Sequence, residues 1–219
     1  MSLTISLDTS TTLTGAGIWS EAGVGAEAFD VPDVGGRPRH AGASIPLLEG
    51  LLGDAGATWV DVSRVVVGLG PGSFTGLRVG VATAMGLASG SGAELVGASS
   101  LRALLLAGGT EGPTCAMIDA RRGELYMADS SDPSAELCVP RTLEGVLVAP
   151  GTQCLGDGAV LESERLLALG FSVPPADSMV HRVSPLRLIE VVNAGGGIQP
   201  VLPSYVRDAD AIPTAERRG

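Results

Sequence analysis

Two stretches of this chain share one layout and lie about half a chain apart. "LTISLDTSTTLTGAGIW" reads as a strand, a polar turn and a second strand. The first strand, Leu3 to Leu7, ends at Asp8, and the second returns through Gly15 to Trp19. "TCAMIDARRGELYMAD" repeats the scheme. Its first strand, Cys115 to Ile118, ends at Asp119; the turn holds Arg121, Arg122 and Gly123; the second strand runs from Glu124 to Asp129. Short apolar runs bounded by turn residues are the strand signal. Two strand–Asp–hairpin units at this spacing imply an internal duplication, and so two related halves.

Between and after the hairpins, helical and strand patterns alternate. Helical spacing runs from about His40 to Ala55. A strand over Val65 to Leu69, a helix over about Thr75 to Ser89 and a short strand "AELVG" follow. Ser99 is placed to cap "SLRALLLA". Thr142 caps "TLEGVLV", "QCLGDGAV" is a strand running into a glycine turn, and a helix continues to about Ala168. Ser184 and Pro185 open "SPLRLIEVVNAG" as cap and first helical residue. This alternation predicts an α/β protein with mixed, partly parallel sheets covered by helices. "EGPT" near Pro113 is the best break between halves, and "SSDPSAE" reads as a surface loop.

Charge and composition exclude several classes. The net charge of −10 argues against a chain that grips nucleic acid alone, because phosphate binding needs clustered cations. The adjacent arginine pairs are Arg121–Arg122 and Arg217–Arg218. All 14 cationic side chains are Arg. Without lysine there is no Walker-type P-loop and no Schiff-base chemistry on lysine. No apolar run has the length of a membrane span. The start, "MSLTISLDTS", has no secretory pattern. Cys115, Cys138 and Cys154 form no CxxC pair, and two lie in strand contexts as expected for buried thiols. The expected setting is the cytoplasm.

"VVVGLGPGSFTGLRVGVATAMGLASG", Val65 to Gly90, looks like a phosphate-gripping strand–glycine turn–helix. It does not match the dinucleotide fingerprint, because Ser73 stands where the third glycine belongs. Nor is it a nucleophile elbow, because Pro71 stands two before Ser73. A tight turn with Ser73 capping the next helix is the better reading. In that helix the only charge is Arg78. Gly76, Gly80, Ala84 and Ala88 recur every four residues, beside a row of Leu77, Val81 and Met85. The preceding helix carries Ile45, Leu48 and Leu52 on one side, and Leu47 and Leu51 on another. A helix covering one side of a sheet needs one apolar stripe, and these have more. Either the two helices pack on each other and the sheet, or their outer faces bury against a partner. On the second reading, Gly80→Glu breaks pairing and leaves the fold intact.

Catalytic groups are thin. His40 and His181 have no acidic or cysteine neighbours at ligand spacing, so no metal site is expected. Asp8 and Asp119 are turn residues or positions for a metal or water. Arg121 and Arg122 are either solvated or an anion contact.

"LDTST", "GLGPGSFTGLRVGVATAMGLA", "IDARRGELYMA", "LGDGA" and the closing "PSYVR" resemble, in that order, the TsaB (also called YeaZ) family, over nearly the whole chain. The resemblance implies the actin-like ATPase (ribonuclease H-like) fold of two lobes, which matches the duplication. The division would be an N-terminal lobe, residues 1–100, carrying the pairing helices, and a short C-terminal lobe, residues 101–219. It further implies a non-catalytic subunit without cofactor, acting in the threonylcarbamoyladenosine modification of tRNA. The partners would be a TsaD-like paralogue, which performs the transfer, and a TsaE-like ATPase. Contact with tRNA would be indirect, and there would be no membrane partner. Alone, the chain would be a homodimer or a monomer. The family pairs through N-lobe helices, which assigns Ile45, Leu48, Leu52, Gly76, Gly80, Val81, Ala84 and Met85 to the interface. Asp8, Thr9 and Ser10 would be a vestigial nucleotide site.

The chain departs from the family pattern at His40-Ala41-Gly42, where the family often reads His-Ser-Glu. "LGDGA" only echoes the fold's adenosine-binding glycines. The alternatives to a scaffold are a small nucleotide-dependent kinase, with Asp8 positioning metal and Thr9 and Ser10 contacting phosphate, or a degenerate peptidase matching the family's old label.

Overall fold

Strand β1 (Leu3–Asp8) lies at the centre of a five-stranded sheet in a computed structural model of the chain. The described residues are 2–33, 35–109, 112–131, 140–143, 149 and 151–202. The sheet order is β3-β2-β1-β4-β5. β2 (Thr14–Ser20) is antiparallel to β1, with Asp8 opposite Gly15. β3 (Gly25–Asp30) is antiparallel to β2. On the other side β4 (Val62–Gly68) and β5 (Glu94–Ala98) run parallel to β1. The hairpin is local, whereas the parallel strands need crossovers, supplied by helices α1 (His40–Asp54) and α2 (Phe74–Ser91). β3 is a strand that the sequence pattern did not reveal. Its run GAEAFD holds no β-branched residue and is half-exposed at the sheet edge, so it lacks the usual strand signature.

The second sheet, β7-β6-β8, repeats part of the first. β6 (Thr114–Asp119) is antiparallel to β7 (Leu125–Asp129) and parallel to β8 (Gln153–Leu155). Asp8 and Asp119 therefore occupy matching places at the ends of the first strands. Helices α4 (Asp157–Leu161) and α5 (Ser163–Ala168) follow β8. Thr142 is described, but most of the segment it was expected to cap, most of the "SSDPSAE" loop and the closing "PSYVR" lie outside the described residues.

One core lies between the first sheet and α1 and α2, and includes Ile5, Val65, Val67, Leu48, Leu52, Val81 and Ala84. A second joins the two sheets through α3 (Ser100–Leu105) and α6 (Pro185–Val191). Val66 and Ala98 of the first sheet, Ala116 and Ile118 of the second, and Leu104 and Leu188 of the helices meet there. A third core, around Met117, Leu125, Cys154 and Leu166, lies in the second half.

Helix α6 comes late in the chain yet lies on the first sheet. A side chain at Gly15 or Gly17 of β2 would collide with Pro185, so these glycines let the helix start approach the strand backbone. Glu27 of β3 accepts hydrogen bonds from Ser184 Oγ and from the Leu186 amide, which fixes the helix start on the edge strand.

Candidate functional site

The glycine-rich loop, residues 69–73, is closed by the chain itself. Ser73 caps α2, its hydroxyl accepting from the Gly76 amide at 3.2 Å, as the sequence predicts. The Ser73 amide donates to the Ser10 carbonyl at 2.7 Å. A side chain at Gly72 would overlap that carbonyl, and one at Gly76 would overlap the carbonyl of Thr9. The loop therefore rests on the first turn.

Asp8, Thr9 and Ser10 are all buried. Asp8 Oδ1 accepts from the Ser10 amide at 2.9 Å and the Ser10 hydroxyl at 2.7 Å. Asp8 Oδ2 accepts from the Ser100 hydroxyl at 2.8 Å, and Ser100 Oγ in turn accepts from the Gly70 amide at 3.2 Å. Burial pushes the Asp8 carboxyl above the usual carboxylate range, against the hydrogen bonds from Ser10 and Ser100. The three residues proposed as a vestigial nucleotide site thus tie β1, the glycine loop and the start of α3 together. In this arrangement their side-chain polar atoms are engaged in hydrogen bonds within the chain.

The expected interface residues divide into two groups. Leu48, Leu52, Gly76, Gly80, Val81 and Ala84 are buried within this chain. Their assignment to an outer face is corrected: the small-residue row lets α2 approach the Thr9 turn, and a side chain at Gly80 would overlap Thr9 Oγ1. Gly80→Glu would therefore strike the fold before any partner. Ile45 is half-buried, while Met85 is 53% exposed. These two belong to the outer side of the helix pair.

An apolar groove of about 500 Å³ opens on that side, bounded by Ile45 and Glu49 of α1, Gly86, Leu87 and Gly90 of α2, and Trp59 and Val60 of the turn before β4. Val60 is 90% exposed, an unusual position for a β-branched apolar residue. Trp59 and Val60 escaped the sequence reading because they lie in a short 3-10 turn with no periodicity. Among the described residues, Glu49 is the only charged one lining the groove.

The second Asp site is more polar. The Arg121 guanidinium pairs with Asp119 at 3.0 Å, and the Asp119 amide donates to Asp157 Oδ1 at 3.1 Å. Burial pushes Asp157 up to about 6, with the Asp119 charge adding to the effect. His181 Nδ1 accepts from the Gly156 amide at 3.2 Å and its Nε2 faces the Pro174 carbonyl at 3.1 Å, so its ring is held by backbone. His40 contacts Thr14 Oγ1 through Nδ1 at 2.9 Å, and its Nε2 is buried without a hydrogen-bond partner among the described residues. No three His, Cys, Asp or Glu side chains gather as a metal centre among the described residues. None of the described helices is long and apolar enough to cross a membrane.

Two mixed sheets related by a repeated strand–Asp–hairpin, with helices between them, define an α/β protein of the actin-like (ribonuclease H-like) class. YeaZ from Pseudomonas aeruginosa superposes with a TM-score of 0.74 at 25% identity, over 94% of this chain and 100% of that one. An uncharacterized protein of Mycobacterium tuberculosis is 37% identical over 176 residues, 80% of this chain and 79% of its own length. The tRNA threonylcarbamoyladenosine biosynthesis protein TsaB of Escherichia coli K12 is 34% identical over 131 residues, 57% of this chain and 53% of its own length. The family described as TsaD, tRNA N6-adenosine threonylcarbamoyltransferase, matches residues 31–137. The chain belongs to the TsaB (YeaZ) family.

Proposed function

We propose that this chain is a non-catalytic subunit in tRNA threonylcarbamoyladenosine biosynthesis, and that it holds a TsaD-like transferase through the outer side of α1 and α2. The observation that carries the pairing is the apolar groove with Val60 exposed in its lining, together with the exposed Met85 of α2. Large apolar side chains grouped at a nearly uncharged groove favour a protein partner. The role in tRNA modification comes from the family, in which relatives of Escherichia coli and Bacillus subtilis carry that name.

The absence of catalysis is supported by Asp8. A carboxylate that positions a metal must face its ligand, and Asp8 is buried with two hydrogen bonds on Oδ1 and one on Oδ2, all from this chain. The chain then acts mechanically, keeping the transferase competent, with a TsaE-like ATPase joining the pair. Contact with tRNA is made chiefly by the partners. When the transferase is absent, the same apolar groove favours self-pairing. The expected location is the cytoplasm, where tRNA is modified.

The test has two arms. Co-expression with the TsaD-like protein of the same cell should give a complex that elutes as one species. Mass spectrometry of tRNA nucleosides from a depleted strain should show threonylcarbamoyladenosine sharply reduced. Unchanged nucleoside levels would sink the role, and failure to pair would sink the mechanism.

A further inference from the structure

The five-stranded sheet closes one of its edges and leaves the other open. Beyond β5, Gly97 exchanges backbone bonds with Ile198 at 3.1 and 2.8 Å, and Gln199 Nε2 donates to the Leu95 carbonyl at 3.2 Å. At the opposite edge, β3 pairs with β2 alone. The Ser20 amide donates to the Val24 carbonyl at 2.9 Å. By the alternation of an antiparallel ladder, Ala26, Ala28 and Asp30 then turn their backbone groups toward β2. Those of Gly25, Glu27 and Phe29 point outward, and no other described residue bonds to them.

An open strand edge is a template for another strand, and proteins blunt it with proline, a bulge or a charge. β3 holds no proline, and its register with β2 runs without a bulge. Its two acids are engaged within the chain: Glu27 accepts from Ser184 Oγ and the Leu186 amide, and Asp30 pairs with Arg39. Val31, the first residue past the strand, is 52% exposed. A side chain at Gly25 would touch the Trp19 ring and Leu186, so the edge has an apolar floor there.

We infer that β3 pairs with β3 of a second copy of this chain across a twofold axis at Ala28, continuing the sheet from one copy into the other. Such a contact is isologous: each edge offers the same outward groups to the other. Centred on Ala28, Glu27 exchanges backbone bonds with Phe29 of the second copy, and Gly25 with Val31. Val31 of each copy then lies over the bare Gly25 of the other, beside Trp19 and Leu186, and the exposed valine is covered. Asp30 stands opposite Ala26. Centred on Glu27 instead, the pair would set two carboxylates directly opposite each other, which is unfavourable. The surface is distinct from the apolar groove, which no residue of β3 lines, so this pairing stands whether or not the groove holds a transferase.

The experiment uses the full chain carrying Met85→Glu, which removes self-pairing at the groove, and Cys138→Ser. In a non-hydrogen-bonded antiparallel pair the two Cα atoms lie about 4.5 Å apart, within disulfide reach. Under mild oxidation with diamide, Ala28→Cys should therefore join its copy in a covalent dimer. Ala26→Cys, which stands opposite Asp30, should stay monomeric. No dimer from Ala28→Cys, or equal yields from both positions, would overturn the inference. Sedimentation of the same background without the added cysteines should show reversible dimers. Ala28→Lys and Ala28→Glu should each weaken them at least tenfold, because like charges then meet at the axis. An equimolar mixture of those two variants should dimerise again, which misfolded proteins would not do. A monomer at every concentration, or no recovery in a mixture of the folded variants, would also overturn it. Either failure leaves the groove and its transferase untouched.

Discussion

The hydroxyl of Thr9 donates to the carbonyl of Gly76 at 2.8 Å, joining the first turn of the chain to the first turn of α2. One turn further along the helix, Thr9 Oγ1 occupies the space that a side chain at Gly80 would need. The small residues of α2 thus answer a close approach within the molecule. Helix propensity alone makes Gly80→Ala stabilising by about 1 kcal/mol. The collision with Thr9 reverses the sign, and we expect a net loss of about 1–3 kcal/mol, the usual cost of overpacking. Thr9→Ala/Gly80→Ala removes the obstacle and should show positive coupling between the two changes. Urea unfolding measures both. A stabilised Gly80→Ala would place the helix away from Thr9.

The groove on the other side of these helices makes the opposite demand. Met85→Glu changes a residue 53% exposed, so stability should move by less than about 0.5 kcal/mol. In the complex the same carboxylate would be buried without a partner, which costs several kcal/mol. Titration calorimetry with the TsaD-like protein should show binding weakened at least tenfold, roughly 1.4 kcal/mol or more. Full affinity in a folded Met85→Glu protein would move the interface elsewhere.

The hairpins were legible in the sequence because strand, turn and return lie within about 20 residues of one another. The caps Ser73, Ser99 and Ser184 were legible for the same reason, since each bonds an amide three residues on. The buried Asp8 network was not, because Ser100 lies 92 positions away. The four-residue spacing of Gly76, Gly80 and Ala84 revealed a face but not what the face meets. Thr9, 67 positions before Gly76, decides that. Trp59 and Val60 enter the groove from an irregular turn, where no period marks them.

Asp157 sets a pH dependence whose sign follows from its burial. Its folded pKa is about 6, above the ordinary 3.8, so the folded state favours the protonated form. Its contribution is full below about pH 4 and is lost as pH rises to about 6, a change of about 3 kcal/mol at most. Burial raises Asp8 as well, and its effect runs in the same direction. His40 works the other way: burial lowers its pKa, so its contribution fades as pH falls below about 6.5. Asp157→Asn isolates the first effect, because its side-chain oxygen still accepts from the Asp119 amide. At pH 7.5 the variant should be more stable by up to about 2–3 kcal/mol, and its stability should fall less between pH 4 and 6. Identical pH profiles for the two proteins would show that Asp157 is ionised at no cost.

Asp8→Asn separates a scaffold from an enzyme. The asparagine oxygen can keep the Ser10 amide at the Oδ1 position, and its amide nitrogen can donate to Ser100 Oγ, whose own hydrogen must then turn elsewhere. One acceptor becomes a donor in a buried network, and a buried charge disappears. The two effects oppose each other, so stability should change by about 1 kcal/mol in either direction. Asp8→Leu leaves the Ser10 amide and both hydroxyls without their acceptor and should lose roughly 3 kcal/mol or more. For a scaffold, the isolated chain shows no steady ATP turnover. Folded Asp8→Asn then supports the same rate of tRNA modification in the reconstituted complex as the original chain. For a kinase, turnover is present in the original and vanishes in Asp8→Asn without loss of folding. A coupled ADP-release assay on the purified chain, run beside circular dichroism of both proteins, decides between them. Turnover that depends on Asp8 would overturn the scaffold reading and make the closed loop over Thr9 and Ser10 an inactive state.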